Sequence, residues 1–370
     1  MFKVTGSASR DCEGLVRRSF VQAGVLGLGG LTLAEFLKLK SSAADDSSTA
    51  VPHRSDTSVI LIWMSGGPGH HETWDPKPQA VSEYRGPFGA ISTTAPGVQF
   101  SEMLSEQAKI AEHLSVIRTA SHGTGDHTKG NHWMLTFDRL SDRRLLLNAV
   151  DGVRRTADRQ MTDMSEHQRA AFGLLTSKAV RAAFDISAES DATRDKYGRH
   201  TFGQSALLAR RLVERGVTFV TVNTQPWDHH GTANRLPTEK GAKQLIPPTD
   251  RAIAGLIRDL IDRDLYRKTL VVAMGEVGRT PKMNSAAGRD HWGHSFSVMM
   301  AGGETTGGIV VGESDKHGAY VKDRPVHPED VAATVYHHLG IDGRRTTLKD
   351  RTGRPMHLVE RGEVIRELYA

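Results

Sequence analysis

The segment WDHHG (227–231) places an aspartate and histidines beside a tryptophan. In an extended chain the side chains of Asp228 and His230 point to the same side, which suits two ligands of one cation. The alternative is a capped turn with exposed histidines. Because Trp227 should be partly buried, the sequence favours the cation site.

Two further segments carry residues of the same chemical types. GRDHWGH contains His291, beside which Asp290 would orient the imidazole. GEVGRTP contains Glu276, which is either a metal ligand or a partner of Arg279. Arg279 would clamp a phosphate or sulfate oxygen, and an ordinary Glu–Arg ion pair is the alternative.

The segment GDHTKGNHWMLT (125–136) is broken by glycines that let the backbone approach a ligand. His127 and Thr128 precede its first apolar helical turn, and a helix start favours anions. A threonine hydroxyl held there beside a metal ion can be activated to attack phosphorus or sulfur. The alternative is that Asp126 and Thr128 are only helix caps.

Alternating helices and strands must position these segments. Continuous apolar runs predict strands, and apolar residues at helical spacing predict helices. The predicted strands are 58–64, 114–118, 217–222, 269–274 and 295–302. The predicted helices are 141–160, 166–177, 178–186, 202–216, 249–265 with Thr249 or Asp250 as cap, and 328–340. This alternation predicts an α/β fold, a mostly parallel sheet with helices on both faces.

In such sheets ligands bind beyond the carboxyl ends of the strands. The His, Asp and Glu residues described above follow the predicted strand ends, so the fold would bring them together. A solvated loop would also be polar, but it would contain Lys, Ser and Asn as often as His and Asp. The pattern therefore favours a functional site.

Composition limits the chemistry of this site. The chain has 370 residues, 18 histidines and one cysteine, Cys12, which precedes the predicted start of the mature domain. A metal would therefore be bound by imidazole and carboxylate, and no disulfide is expected. The formal charge of +5 is spread over the chain without a basic block, so no nucleic-acid partner is expected.

The first fifty residues predict an export signal and linker. Arg17 and Arg18 precede a short apolar stretch, and small polar residues follow at 41–50. The apolar run is too short for a stable transmembrane span. The paired arginines are similar to a twin-arginine signal, which predicts a location in the periplasm or cell envelope. An amphipathic N-terminal helix is the alternative.

Several longer strings resemble the exported proteins of the family called domain of unknown function 1501. They include LIWMSGGPGHHETWDPKP, IRTASHGTGDHTKGNHWMLT, VVAMGEVGRTPKMN and GRDHWGHSFSVMMAGG, and the likeness covers nearly the whole chain. The family is placed in the alkaline phosphatase and sulfatase superfamily. The resemblance implies an alkaline phosphatase-like three-layer α/β fold over residues 51–370, with one or two divalent metals and a nucleophile at a helix start.

Carried over by position, the resemblance implies roles for individual residues. The implied metal ligands are Asp228, His230, Glu276 and His291. Thr128 stands at the attacking position, and a shift of one residue would place His127 there. Lys129 and Arg279 would stabilise the anion.

The chain departs from the family pattern at two ligand positions and in length. Ser65 replaces a metal-binding aspartate and Val277 replaces a histidine, so one metal, zinc or calcium, is expected rather than two. His70, His127 and Glu72 could compensate for the missing ligands. A middle segment after residue 137 is expected to be absent.

The sequence thus predicts an exported metal-dependent hydrolase of phosphate or sulfate esters. Its substrate would be an anionic ester, including sulfated or phosphorylated glycans. The alternative is a non-catalytic binding or scaffold protein of the envelope that keeps a vestigial site.

Overall fold

The computed structural model of the protein describes residues 2–10, 16–23, 56–135, 173, 177–232, 235–349 and 354–370. The helices predicted over 141–160 and 166–177 lie almost wholly outside these residues. The predicted absence of a segment after residue 137 also concerns residues outside the described ranges.

The centre of the fold is an eight-stranded sheet in the order β1-β2-β7-β3-β8-β11-β6-β12. The other strands form separate two-stranded ribbons. The strands are β1 Phe2–Arg10, β2 Val16–Ala23, β3 Ser58–Trp63, β4 Ala90–Ser92, β5 Gln99–Ser101, β6 Ser115–Ala120, β7 Phe219–Asn223, β8 Thr269–Met274, β9 Gly278–Arg279, β10 His291–Trp292, β11 Phe296–Gly302, β12 Ile309–Val311, β13 Glu313–Ser314, β14 Val321–Asp323, β15 Thr347–Lys349 and β16 Pro355–His357.

The sheet is mostly parallel, as predicted. Strand β3 pairs in parallel with both β7 and β8, and β12 pairs in parallel with β6. Only β2 and β11 run against the common direction. A parallel return needs a long crossover, usually a helix. Since residues 275–295 form only short strands and loops, β11 turns back antiparallel to β8.

Helices cover both faces of the sheet and give it three layers. They are α1 Ser82–Arg85, α2 Ser105–Ala108, α3 His127–Leu135, α4 Lys178–Ala183, α5 Asp191–Tyr197, α6 Thr201–Glu214, α7 Thr238–Asp262 and α8 Pro328–His338. Ile60 and Ile62 of β3 pack into the core that contains α6 and α7. Val59 and Leu61 point to the opposite face and pack into the core that contains α8. This alternation is the pleat of a strand buried on both sides.

Helix α7 begins earlier than the sequence predicts. Thr249 and Asp250 were expected to cap it, but they lie inside a helix that starts at Thr238 and contains Pro247 and Pro248. That expectation was wrong because the helix continues toward the N-terminus through both prolines, so neither residue is at its start. Asp250 instead caps a neighbouring segment, since its carboxylate accepts the backbone N–H groups of Glu106 and Gln107 at 2.7 and 2.9 Å.

Strands β1 and β2 pair with each other, and Val21–Ala23 of β2 continue the sheet alongside β7. These residues belong to the predicted export signal, which remains a prediction. Among the residues that the structure describes, no helix has the length and apolar character needed to cross a membrane.

Candidate metal centre

Three ligand-type side chains meet at the carboxyl ends of the strands. His127 begins α3 after β6, Asp228 follows β7, and His291 lies in β10. One ligand atom from each of the three residues lies within 4.8 Å of the other two. The His127 Nε2 to Asp228 Oδ1 distance is 3.2 Å, and the His291 Nε2 to Asp228 Oδ1 distance is 4.0 Å.

The 3.2 Å separation of His127 and Asp228 fits a divalent cation, and His291 would move closer to Asp228 to join the same ion. Ligands at the usual zinc distance in a tetrahedron stand about 3.3 Å from one another. The side chains of His127 and Asp228 are 0% and 1% exposed, and that of His291 is 19% exposed, so the cluster is enclosed with one more open side. Two imidazoles and one carboxylate therefore form a three-ligand set of the kind found in catalytic metal sites.

Glu276 fixes the orientation of His127. Its Oε1 atom lies 2.9 Å from His127 Nδ1 and accepts the backbone N–H of Gly66 at 2.8 Å. When Nδ1 donates to the carboxylate, the Nε2 lone pair faces Asp228 and the cluster. This carboxylate–histidine arrangement is common where histidine binds metal.

The start of α3 is built to bring His127 against the sheet. The Asp126 carboxylate accepts the Lys129 backbone N–H at 2.7 Å, so Asp126 caps the helix, as the alternative interpretation predicted. At Gly130 an added Cβ would lie 2.5 Å from the carbonyl oxygen of Glu276. A glycine is needed here because any side chain would push α3 away from Glu276.

Arg279 lies in the same buried cluster and faces inward. Its guanidinium is 2% exposed and donates to Asp228 Oδ1 at 2.9 Å. It also donates to the carbonyl oxygens of Gly67 and Trp227 at 2.9 and 2.8 Å and to the carbonyl oxygen of Gly66. The structure thus directs Arg279 to protein atoms, whereas the sequence suggested a clamp for a substrate oxygen.

His230 stands beside the cluster but in a different bonding state from His127. Its Nε2 atom lies 3.2 Å from Arg279 Nη1, an obligatory donor, so Nε2 accepts. Its Nδ1 atom lies 3.3 Å from Asp290 Oδ1. Asp290, predicted to orient His291, therefore contacts His230.

The local electrostatics keep the ligands in metal-binding protonation states. Burial alone would raise the pKa of Asp228, but the hydrogen bond that His127 donates while its Nε2 carries a proton, together with the charge of Arg279, holds it well below its usual range. Burial, followed by the charge of Arg279, lowers the pKa of His291 to about 3. At neutral pH the carboxylate is ionised and the His291 imidazole is neutral, as metal binding requires.

The remaining predicted site residues lie around or away from the cluster. Thr128 and Lys129 are exposed on the first turn of α3, next to the buried His127. His70 is buried elsewhere, with Nε2 bonded to the carbonyl oxygen of Gly318 at 2.8 Å, and burial lowers its pKa to about 4. Glu72 pairs with Arg289 at 2.9 Å.

Sequence reasoning missed two contributions to the centre. The backbone N–H of Gly66 supports Glu276, and the carbonyl oxygen of Glu276 lies 2.7 Å from His122 Nε2. Gly66 and His122 each follow the end of a strand, and this placement was the signal in the sequence that could have indicated them. Their roles depend on backbone geometry that the residue types do not reveal.

Fold and cluster together define an α/β protein with a two-histidine, one-aspartate centre at the carboxyl edge of its sheet. The family model described as "Protein of unknown function (DUF1501)" matches residues 56–143 and 137–369. The chain belongs to this family, and the resemblance seen in the sequence is confirmed. Among curated proteins, none has a matching sequence.

Solved structures that are similar to this chain include hydrolases. One is the sulfatase PsFucS1 from Pseudoalteromonas sp., with 14% identity, a TM-score of 0.35 and coverage of 86% of this chain and 74% of that chain. Another is Ps i-CgsB, with 12% identity, a TM-score of 0.36 and coverage of 77% and 72%. The alkaline phosphatase from the Antarctic bacterium TAB5 has 11% identity, a TM-score of 0.27 and coverage of 72% and 97%.

Proposed function

We propose that the protein is a metal-dependent hydrolase of phosphate or sulfate esters. The observation that carries this proposal is the enclosed cluster of His127, Asp228 and His291, whose ligand atoms lie within 4.8 Å of one another. The orientation of His127 by Glu276 adds to it, because such support is typical of histidines that bind metal.

The donor set favours zinc over calcium. Calcium prefers six to eight oxygen ligands, whereas two imidazoles and a carboxylate are typical of catalytic zinc. Iron and manganese also accept two histidines and one carboxylate, so they belong in the metal panel. With these three ligands and Arg279 beside them, we propose one bound ion, as the sequence predicted.

The chain's own residues would divide the work of the reaction. A divalent cation at the cluster would supply Lewis acidity toward a phosphoryl or sulfuryl oxygen. Asp228, His127 and His291 would hold it, and Glu276 would keep His127 in the correct tautomer. Thr128 and Lys129 are exposed on the first turn of α3, next to His127 in the chain, and we propose that they supply the nucleophilic hydroxyl and a contact to the anion.

The direct test combines metal analysis with turnover of aryl phosphates and aryl sulfates. We expect about one equivalent of metal per chain, and loss of both metal and turnover in Asp228→Asn and His291→Ala. His113→Ala is a matched control, because His113 is 38% exposed and contacts Tyr266 rather than the cluster. A metal-free native chain without turnover would instead support the alternative, a non-catalytic envelope binding or scaffold protein.

The role of Thr128 has its own test. Thr128→Ser keeps a hydroxyl and should retain turnover, whereas Thr128→Ala should abolish turnover and keep the metal. If both variants turn over like the native chain, the nucleophile is not Thr128. His127, the alternative one residue earlier, would not replace it, because both of its ring nitrogens contact carboxylates, those of Asp228 and Glu276.

We also propose export by the twin-arginine route. The support is the pair Arg17 and Arg18 ahead of a short apolar stretch. Replacing both with lysine should keep the protein in the cytoplasm, and cell fractionation with mass spectrometry of the mature N-terminus would show it. An unchanged distribution, with residues 1–50 retained, would contradict this proposal and would suit the pairing of β2 with β7.

A further inference from the structure

Arg279 has an unusual place for a cation. Its guanidinium is fully enclosed within a cluster whose chemistry suits a metal ion, and it pairs with the same Asp228 Oδ1 atom that faces His127 and His291. Strand β10 carries His291 directly opposite Arg279 of β9, so the ribbon holds the two side chains in one layer.

The hydrogen bonds of Arg279 divide the cluster into two sides. Toward His127 and His291, Asp228 faces imidazole nitrogens at 3.2 and 4.0 Å. Toward His230, the guanidinium contacts both residues, since Arg279 Nη2 lies 2.9 Å from Asp228 Oδ1 and Nη1 lies 3.2 Å from His230 Nε2. His230 Nε2 lies 3.8 Å from Asp228 Oδ1, a distance comparable to the 4.0 Å of His291, so the contact with the guanidinium rather than distance distinguishes the two histidines.

We propose that Arg279 is a built-in cation that occupies the Asp228–His230 side of the centre. It neutralises Asp228 and uses the lone pair of His230, so that His230 does not ligate and the centre is left with His127, Asp228 and His291. This inference rests on the proposed metal centre and goes beyond it, because it assigns the ligand set and the number of ions to one side chain.

Several features make Arg279 a permanent member of the cluster. Backbone carbonyls of Gly66, Gly67 and Trp227 accept from it, and those loops follow β3 and β7. A guanidinium presents five donors in a rigid plane and stays protonated, which an ammonium or imidazole does not match. The backbone therefore selects arginine and holds its charge at a defined point.

The test is a set of cation titrations with Zn²⁺ and Co²⁺ alone on four full-length chains: native, His230→Ala, Arg279→Met and the double variant. In the native background His230→Ala should change affinity by less than about twofold, while His291→Ala lowers it far more. In Arg279→Met the affinity should rise about tenfold or more, because a buried like charge is removed. In the Arg279→Met background, His230→Ala should lower the cation affinity again. The visible Co²⁺ spectrum of Arg279→Met should show the added nitrogen ligand.

A comparable loss of affinity for His230→Ala and His291→Ala in the native background would overturn the inference. That comparison does not need Arg279→Met to fold. If the native chain binds no cation but Arg279→Met does, the hydrolase proposal fails and the built-in cation stands. If the native chain is an active metalloenzyme that needs His230 as a ligand, the built-in cation is refuted and the hydrolase proposal stands.

Discussion

Replacement of Glu276 by glutamine tests whether this residue orients His127 or binds the metal itself. The carboxylate accepts from His127 Nδ1 at 2.9 Å and from the Gly66 backbone N–H at 2.8 Å. Hydrogen bonds to charged groups contribute about 1.5–3 kcal/mol and neutral ones about 0.5–1.5 kcal/mol. Glutamine keeps a neutral acceptor, so each bond should weaken by about 1–1.5 kcal/mol.

For the His127 bond this loss corresponds to metal affinity lowered about tenfold, within the roughly 10- to 100-fold range usual for residues that support a ligand. The weaker bond to Gly66 should lower the free energy of unfolding of the metal-free protein by about 1 kcal/mol. Competition with a chromogenic chelator measures the first quantity, and urea denaturation measures the second.

Glu72→Gln is the matched control, because Glu72 is also buried but pairs with Arg289. It should lower stability and leave metal affinity within about twofold, since it supports no ligand. An unchanged affinity in Glu276→Gln would refute the orienting role. A loss far beyond a hundredfold would show that Glu276 is a direct ligand, as the sequence predicted.

Three further predictions concern the support of the centre and the stability of the fold. Gly130→Ala should lower metal affinity and reduce the free energy of unfolding by about 1–3 kcal/mol in the same two assays, because the new Cβ would meet the carbonyl oxygen of Glu276 at 2.5 Å. Burial raises the pKa of Asp250 to about 6, so its contribution to stability is greatest below about pH 4 and is lost as the pH rises through about 6. The stability difference between native and Asp250→Asn, followed by denaturation from pH 4 to 7, should therefore fall by up to about 3 kcal/mol, and a pH-independent difference would contradict this assignment. Arg210 is buried and its Nε lies 2.8 Å from Asp259, so Arg210→Met should destabilise by about 3–5 kcal/mol with metal affinity unchanged, and a parallel loss of metal binding would argue against separate networks.

The strands and the edge that carries the site were predictable from the sequence. The apolar run at 58–64 corresponds to β3, and 269–274 coincides with β8. Because β6, β7 and β8 share one direction, the residues after them meet at one edge, and this placed His127, Asp228 and Glu276 together. The apolar runs of the strands are local patterns that a single sequence displays, and the alternation of helices with strands indicates a mostly parallel sheet.

The assignment of roles within the site was not predictable. Asp228 and His230 share one side of an extended segment, but the guanidinium of Arg279, which the sequence could not place, contacts both of them. At the start of α3 a shift of one residue decides whether His127 or Thr128 turns inward, and the close approach at Gly130 fixes that choice. Such outcomes depend on contacts between segments distant in the chain.

The Asp228 carboxylate lies close to His127 and His291, which come from distant parts of the chain. His127 and Glu276, which orients it, are likewise 149 positions apart. A half-folded chain cannot assemble this set, so an ion would recognise only the completed fold. By mass action, free ion at a hundred times its dissociation constant would add about 2.7 kcal/mol to the native state. The metal concentration in the compartment where the chain folds would then help to determine what fraction of the protein stays folded.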